Sequence, residues 1–126
     1  MAKYEPVHQT ERERLICASS ELADGGKGVR FAVKLEHVSE TTPAFIIRHR
    51  GKAHAYLNRC AHVGVEMDWM EGEFFDDSGL YLICSTHGAT YAPESGYCTG
   101  GPCKGKSLQR LKIEERGGNI YLLSGT

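Results

Sequence analysis

The sequence predicts an all-β protein, an antiparallel β-sandwich or small barrel of about eight to ten short strands. Two patterns support this fold class. Short segments alternate apolar and polar residues, as half-buried strands do. Clusters rich in glycine and polar residues separate these segments, as turns do. Only the segment 10–22 has plausible helical content, and its end at 19–22 is also compatible with a simple turn.

The predicted strands form one separate segment and three hairpins. Segment 29–35 alternates apolar and polar residues and follows the turn cluster 24–28. The hairpins are expected around turns at 50–52, 76–79 and 116–118. Their strands are 44–49 with 53–57, 73–75 with 80–83, and 108–113 with 119–123. No internal repeat or long linker interrupts this series, so the chain is predicted to be one domain spanning residues 1–126.

Composition excludes several classes of protein. The net charge is −1 and there is no basic stripe, which argues against nucleic acid as a partner. The first residues lack the apolar run of a signal peptide, and no stretch of 18 apolar residues could span a membrane. The number of cysteines, five, is odd, which argues against a fully paired disulfide framework. We therefore expect a soluble cytoplasmic protein in which Cys17, Cys98 and Cys103 are reduced thiols. Cys98 and Cys103 are also close enough in sequence for a disulfide or a further metal site, but neither has a nearby His, and Gly100-Gly101-Pro102 between them is typical of a loop.

Two short motifs carry most of the functional information. Cys60-Ala61-His62 and Cys84-Ser85-Thr86-His87 each supply one thiolate and one imidazole directly after a predicted strand. Two loops at strand ends could therefore converge on one metal centre. Two Cys and two His could close a tetrahedral zinc site. They could equally hold a [2Fe–2S] cluster with both Cys on one iron and both His on the other.

The spacing of these ligands resembles a known family. Cys60-x-His62, followed after residues 63–83 by Cys84-x-x-His87-Gly88, is similar to the two-box signature of Rieske [2Fe–2S] proteins, and Gly100-Gly101-Pro102 looks like their proline loop. The resemblance implies a Rieske-like antiparallel β-sandwich with a small cluster-binding subdomain of two hairpin loops. It also implies one [2Fe–2S] cluster per chain, with Cys60 and Cys84 on the inner iron and His62 and His87 on the outer one. The cluster-binding loops would lie at about 58–66, 84–92 and 98–105.

Departures from the family pattern indicate the subtype. Val65 and Thr86 stand where respiratory Rieske proteins have an extra disulfide-bonded pair, and the chain has no room for an oxygenase iron domain. It therefore resembles a free-standing Rieske-type ferredoxin. Such a protein would carry one electron at a time from a flavin-dependent reductase to a terminal oxygenase or similar acceptor. It would be a monomer, with no catalytic residues of its own and no membrane or nucleic-acid partner.

The resemblance also predicts how the protein would contact its partners. Transient docking is expected at the tip formed by His62 and His87, with Val63, Val65 and Pro102 as a small apolar patch. Trp69 and Met70 are expected to pack in the core rather than in this patch. The remaining histidines, His8, His37, His49 and His54, are expected to be surface or strand residues.

The residues after the second box bear on redox tuning. Ala89 replaces a Ser that donates to a bridging sulfide in high-potential relatives, while Tyr91 keeps a second donor. We therefore expect a potential in the lower half of the Rieske range of roughly −150 to +300 mV, somewhat higher if the Tyr91 hydroxyl reaches Cys84.

Three other functions stay open at this point. The chain could be a small Rieske-fold subunit of a nitrite-reductase-like complex, although such subunits often lack the ligands. It could be a non-redox zinc-binding interaction module, although zinc sites usually use Cys-x₂₋₄-Cys and His-x₃₋₅-His spacing. It could also be a redox sensor or a cluster-handling protein.

Overall fold

The structure, a computed structural model, describes residues 13–35, 38–61 and 64–123, and in these ranges it confirms the all-β prediction. Its strands are β1 Glu13–Ala18, β2 Val29–Lys34, β3 Thr41–His49, β4 Lys52–Leu57, β5 Leu82–Ile83, β6 Thr90–Tyr91, β7 Cys98–Gly100, β8 Arg110–Leu111, β9 Ile113–Arg116 and β10 Asn119–Leu123. No helix in this part of the chain has the length and apolar character needed to cross a bilayer.

The helical content expected at 10–22 is wrong for its described part. Residues 13–18 form β1, which pairs antiparallel with β10, and only Ser19–Glu21 makes a 3₁₀ turn. Pairing with a distant strand outweighs the weak local preference for a helix. Residues 10–12 lie outside the described residues.

The strands form three antiparallel sheets. β1, β10 and β9 make one sheet, and β2, β3, β4 and β8 make a second. Together these two sheets are called the base. β5, β6 and β7 make a third, smaller sheet, and the segment that contains it, Cys60 to Cys103, is called the cluster subdomain. The short strands β6 and β7 fall where the sequence predicted only loops.

Strand β3 connects two hydrophobic cores because it is buried on both faces. Ala44 and Ile46 face a core shared with the β1–β10–β9 sheet. Phe45 and Ile47 face the opposite core, which lies under the cluster subdomain. There the Phe45 and Phe74 rings stack with centroids 4.0 Å apart. The cluster subdomain is thus packed directly against the central sheet of the base.

The hairpin expected around 50–52 is confirmed by the pairing of β3 with β4. The hairpin around 116–118 is present as β9 and β10, but its first strand is Ile113–Arg116 and not 108–113, because Arg110–Leu111 pair with β4 as β8. The first turn contains Arg50 and Gly51, which have φ values of 52° and 80°. Positive φ at both central residues is the geometry of a type I′ hairpin turn. The hairpin around 76–79 is shorter than expected, since its pairing consists of a Phe75–Leu82 bridge and adjoining backbone hydrogen bonds.

Two of the histidines are strand residues in the interior. His49 ends β3 and His54 lies in β4, and both are buried. Burial lowers the pKa of His54 to about 4, and the nearby positive charges of Arg110 and Lys52 act in the same direction. Arg110 Nη2 lies 3.4 Å from His54 Nδ1, which suits a neutral ring that accepts a hydrogen bond from the guanidinium.

Acidification should therefore destabilise the protein through His54. The unfolded chain takes up a proton near pH 6.5 and the folded chain only near pH 4, so stability is lost as the pH falls through this window. The loss amounts to at most about 3 kcal/mol. A His54→Gln variant, which cannot be protonated, should lose less stability between pH 7 and pH 4.5 in chemical denaturation. Parallel pH profiles for the two proteins would contradict this assignment.

Candidate metal centre

The first Cys/His box begins where β4 leaves the central sheet. Leu57 ends the strand, and the Asn58 N–H donates to the Pro43 carbonyl at 2.8 Å, which keeps the chain close to β3. Cys60 follows, and its N–H donates to the Val65 carbonyl at 2.7 Å, which brings these two residues together. His62 and Val63 lie outside the described residues.

The second box forms a similar loop at the end of β5. The Cys84 N–H donates to the Ala89 carbonyl and the Gly88 N–H donates to the Cys84 carbonyl, both at 2.8 Å. Gly88 has a φ of +74°, a conformation that favours glycine over other residues. The chain therefore turns back sharply after His87 and enters β6 at Thr90.

Three of the four predicted ligands converge. Cys60 Sγ, Cys84 Sγ and a ring nitrogen of His87 all lie within 4.8 Å of one another. His87 Nδ1 is 3.7 Å from Cys84 Sγ. The two sulfurs are buried, with Cys60 2% and Cys84 0% exposed, while His87 is half-buried at the outer side. Thiol ligands thus lie inside and an imidazole lies toward the surface.

The environment of Cys84 suits a metal-bound thiolate. Burial raises the pKa of the free thiol, while hydrogen bonds from the backbone N–H groups of His87 and Thr86 act in the opposite direction. A bound metal displaces the thiol proton and supplies the missing positive charge. Backbone N–H groups around sulfur are also what an iron–sulfur site requires. This donor set therefore fits a [2Fe–2S] cluster.

Tyr91 contacts Cys60 rather than Cys84, the contact considered from the sequence. Its hydroxyl oxygen lies 3.4 Å from Cys60 Sγ and accepts a hydrogen bond from the Ala61 N–H at 3.0 Å. Because the oxygen already accepts from Ala61, its proton is available to the sulfur. Ala89, fully buried, offers no side-chain donor. Tyr91 is therefore a side-chain donor to the sulfur of Cys60.

The third loop is closed by a disulfide bond, which corrects the expectation of reduced thiols at Cys98 and Cys103. The turn at 100–102 brings their Cα atoms to 5.6 Å, within bonding range. Gly101 lies against the second box, where a Cβ would come within 2.9 Å of the Gly88 carbonyl oxygen. The disulfide therefore closes a loop that packs against Gly88 and Ala89, the two residues after His87. Cys17 is a free thiol, as expected, and burial raises its pKa to about 11.

A buried carboxylate that no sequence motif singles out holds the segment between the boxes. Asp68 accepts hydrogen bonds from Arg30 Nε at 2.8 Å, Asn58 Nδ2 at 3.0 Å and the Gly72 N–H at 3.0 Å. The next two residues turn outward. Trp69 is 81% and Met70 is 67% exposed, so the prediction that they pack in the core is wrong.

Comparison with protein families decides the membership of this chain. The model of the Rieske [2Fe–2S] domain matches residues 13–114, which is most of the sequence. The chain belongs to the Rieske [2Fe–2S] domain family. The predictions of the family and of its [2Fe–2S] cofactor are thereby confirmed. No curated protein matches the sequence at a significant level.

Solved structures share the fold of this Rieske domain. A chain of the complex of reduced oxygenase and oxidized ferredoxin in carbazole 1,9a-dioxygenase has a TM-score of 0.67 at 20% identity, covering 90% of this chain and 94% of that one. The Sphingomonas yanoikuyae B1 ferredoxin scores 0.66 at 18% identity, covering 88% and 97%. The ferredoxin of carbazole 1,9a-dioxygenase from Nocardioides aromaticivorans IC177 scores 0.66 at 17% identity, covering 89% and 97%.

Removing the Tyr91 hydroxyl should lower the reduction potential of the Rieske domain. A donor to a cysteine sulfur stabilises the more negative reduced state. Tyr91→Phe should lower the potential by on the order of 50 mV, the equivalent of about 1 kcal/mol for one electron, in a voltammetric measurement. Tyr56→Phe is the matched control, because its buried hydroxyl donates to the Pro93 carbonyl and not to a cysteine. Equal shifts in both variants would contradict the role of Tyr91.

Removing the disulfide should destabilise the Rieske domain without removing its ligands. Closing so short a loop restricts the unfolded chain, so Cys98→Ala/Cys103→Ala should lose about 2 kcal/mol of unfolding free energy in urea. Cys17→Ala provides a comparison at a buried thiol that forms no bridge.

Thiol titration gives a second check of the disulfide. After removal of iron and denaturation without reductant, the wild-type protein should expose three thiols, and a value of five would show that the bridge is absent.

Proposed function

We propose that this protein is a soluble one-electron carrier, a Rieske-type ferredoxin that passes electrons from a reductase to a terminal oxygenase or a similar acceptor. The observation that carries the proposal is the convergence of two buried thiols and one half-buried imidazole within 4.8 Å. The end-to-end likeness in fold to ferredoxins of oxygenase systems supports it.

The proposed ligands are Cys60, His62, Cys84 and His87. The two cysteines would bind the inner iron, because their sulfurs lie in the core. His87 would bind the outer iron, since it is the ligand nearer the surface. His62 is assigned by its place in the first box. These residues, with loops at about 58–66, 84–92 and 98–105, would make up the site of a single domain spanning 1–126.

A [2Fe–2S] cluster supplies reversible acceptance and release of a single electron. The chain supplies the surroundings in which this occurs. Phe74, Met67 and Leu82, all fully buried, exclude water from the inner side of the site. The Tyr91 hydroxyl and the backbone N–H groups of the second box donate hydrogen bonds to sulfur and so stabilise negative charge. His87, which is half-buried, and His62 would form the outer side, where the electron would enter and leave.

The partners are proposed from the same arrangement. A flavin-dependent reductase and a terminal oxygenase or other acceptor would dock in turn at the His62/His87 tip, where Val65 and Pro102 are exposed. Contacts of this kind are small and transient, under about 1,200 Å² in total. A carrier that exchanges partners in this way would act as a monomer, and we propose the cytoplasm as its location.

Electron paramagnetic resonance tests the proposed function directly. The aerobically purified protein should be silent. After dithionite reduction it should give a signal with the low average g-value of a His-ligated [2Fe–2S] cluster. Cys84→Ala should lose the iron and the signal, because it removes a thiolate ligand. Cys17→Ala is the matched control, since it removes a buried free thiol that lies elsewhere, and it should keep both.

Two outcomes would overturn the proposal. A colourless, EPR-silent protein that contains one zinc would identify a structural metal module instead. Iron and signal retained in Cys84→Ala would show that the ligands are assigned wrongly.

A further inference from the structure

We propose that a groove beside Cys84 is the docking surface for a redox partner protein that presents an apolar side chain surrounded by Lys and Arg. This inference rests on the proposed carrier function and identifies the chemistry of its partner. The groove, called here the Trp69 groove, has a volume of about 590 Å³ and is lined by Trp69, Met70, Glu73, Asp77, Ile83 and Ser85, among others.

The Trp69 groove is directly connected to the metal centre. Ile83 and Ser85 are the chain neighbours of Cys84, so the wall of the groove is the same segment that carries a ligand. The Ser85 N–H also donates to the Met67 carbonyl at 3.0 Å, which fixes the segment leading to Trp69 against the second box. A protein seated in the groove would therefore lie within one residue of a proposed cluster ligand.

The apolar side chains of the groove have the character of binding residues. Trp69 and Met70 are adjacent and are 81% and 67% exposed. Adjacent large apolar side chains that face solvent are typical of interaction sites. Trp is enriched among the residues that dominate binding energy, and Met adapts to the shape of its partner.

The charge around the groove selects the partner. Between Cys60 and Cys103 the sequence has seven Asp and Glu residues and no Lys or Arg, so all 15 basic residues lie outside the cluster subdomain. Two of the carboxylates, Glu66 and Asp68, pair with Arg30 of the base. Glu73 and Asp77 at the groove form no ion pair with any residue that the structure describes.

The carboxylates of Glu73 and Asp77 at the groove favour a basic partner over a second copy of this chain. A symmetric dimer through the Trp69 groove would bring two acidic rims together, which is unfavourable. A protein with a positive rim would instead be attracted over a distance and oriented toward Cys84. The acidic rim would then attract the basic partner, and Trp69 and Met70 would contact its apolar side chain once it is bound.

Electron transfer to ferric cytochrome c, a small haem protein with a lysine-rich face, tests the Trp69 groove. The dithionite-reduced holoprotein, freed of excess reductant, is mixed with this probe in a stopped-flow instrument. The rate constant is divided by that for ferricyanide, which needs no protein interface. Trp69→Ala, or Met70→Ala as a second variant, should lower this ratio about tenfold, as expected for loss of a dominant contact residue. Iron content and the EPR spectrum establish that each variant has an intact cluster.

Charge is tested separately. Glu73→Gln/Asp77→Asn should lower the cytochrome c rate constant about three- to tenfold at low ionic strength and should weaken its dependence on salt. Asp76 is left unchanged because it accepts hydrogen bonds from Ser78 within the turn. The matched controls are Glu40→Gln/Glu114→Gln, with the same change in net charge on the base, and Leu15→Ala, at an exposed apolar residue on β1. Both control variants should have the wild-type rate constant with cytochrome c and the wild-type dependence on salt.

The outcomes separate this inference from the function on which it rests. If the reduced wild-type protein transfers electrons to neither cytochrome c nor ferricyanide, the carrier function itself is overturned. Normal transfer with equal ratios in the groove variants and their controls would overturn the groove alone. Dimerisation that depends on Trp69, seen by sedimentation, would also overturn it in favour of a second copy as the occupant.

Discussion

The hydrogen bonds to the Asp68 carboxylate hold the metal centre to the rest of the fold. Its side chain is fully buried and is contacted by Arg30 from β2, Asn58 after β4 and the Gly72 N–H. Burial opposes its ionisation, but these hydrogen bonds outweigh burial and hold the pKa of Asp68 below its ordinary value. A buried carboxylate without such partners would be strongly destabilising. The Asp68 side chain thereby links the segment between the boxes to β2 and to the residue that follows β4.

The same segment explains why the two boxes can meet. Asn58 uses its amide group twice, donating to Asp68 and accepting from the Met67 N–H at 2.8 Å. The Met67 carbonyl then accepts from the Ser85 N–H in the second box. A continuous series of hydrogen bonds thus runs from Asn58, two residues before the first box, to Ser85, the residue after Cys84. The ligands of the two loops are positioned relative to one another by residues that do not themselves bind metal.

The sequence predicted the parts that local chemistry determines. Alternating residues and glycine turns identified β2 and the hairpins. The paired boxes predicted Cys60, His62, Cys84 and His87 as ligands; the structure brings Cys60, Cys84 and His87 together, and the ligand set stays a prediction. What depends on distant contacts was missed. Hydrophobicity placed Trp69 and Met70 in the core, but Met67 and Asp68 occupy the interior positions and turn them outward. The sequence favoured free thiols over a Cys98–Cys103 disulfide, because the number of cysteines is odd and Gly100-Gly101-Pro102 is typical of an ordinary loop, whereas the turn at 100–102 brings the two thiols together.

Because β3 is buried on both faces, the two halves of the molecule depend on each other unequally. The base could keep its own core if the loops around the metal opened, since Ala44 and Ile46 would stay covered by the β1–β10–β9 sheet. The cluster subdomain could not keep its core if the central sheet melted, because Phe45 and Ile47 of β3 are part of that core. Opening of the outer loops is therefore a local event, whereas melting of the central sheet is global. Backbone amides of β3 and β4 should accordingly exchange with solvent most slowly, and cluster loss can precede unfolding of the base.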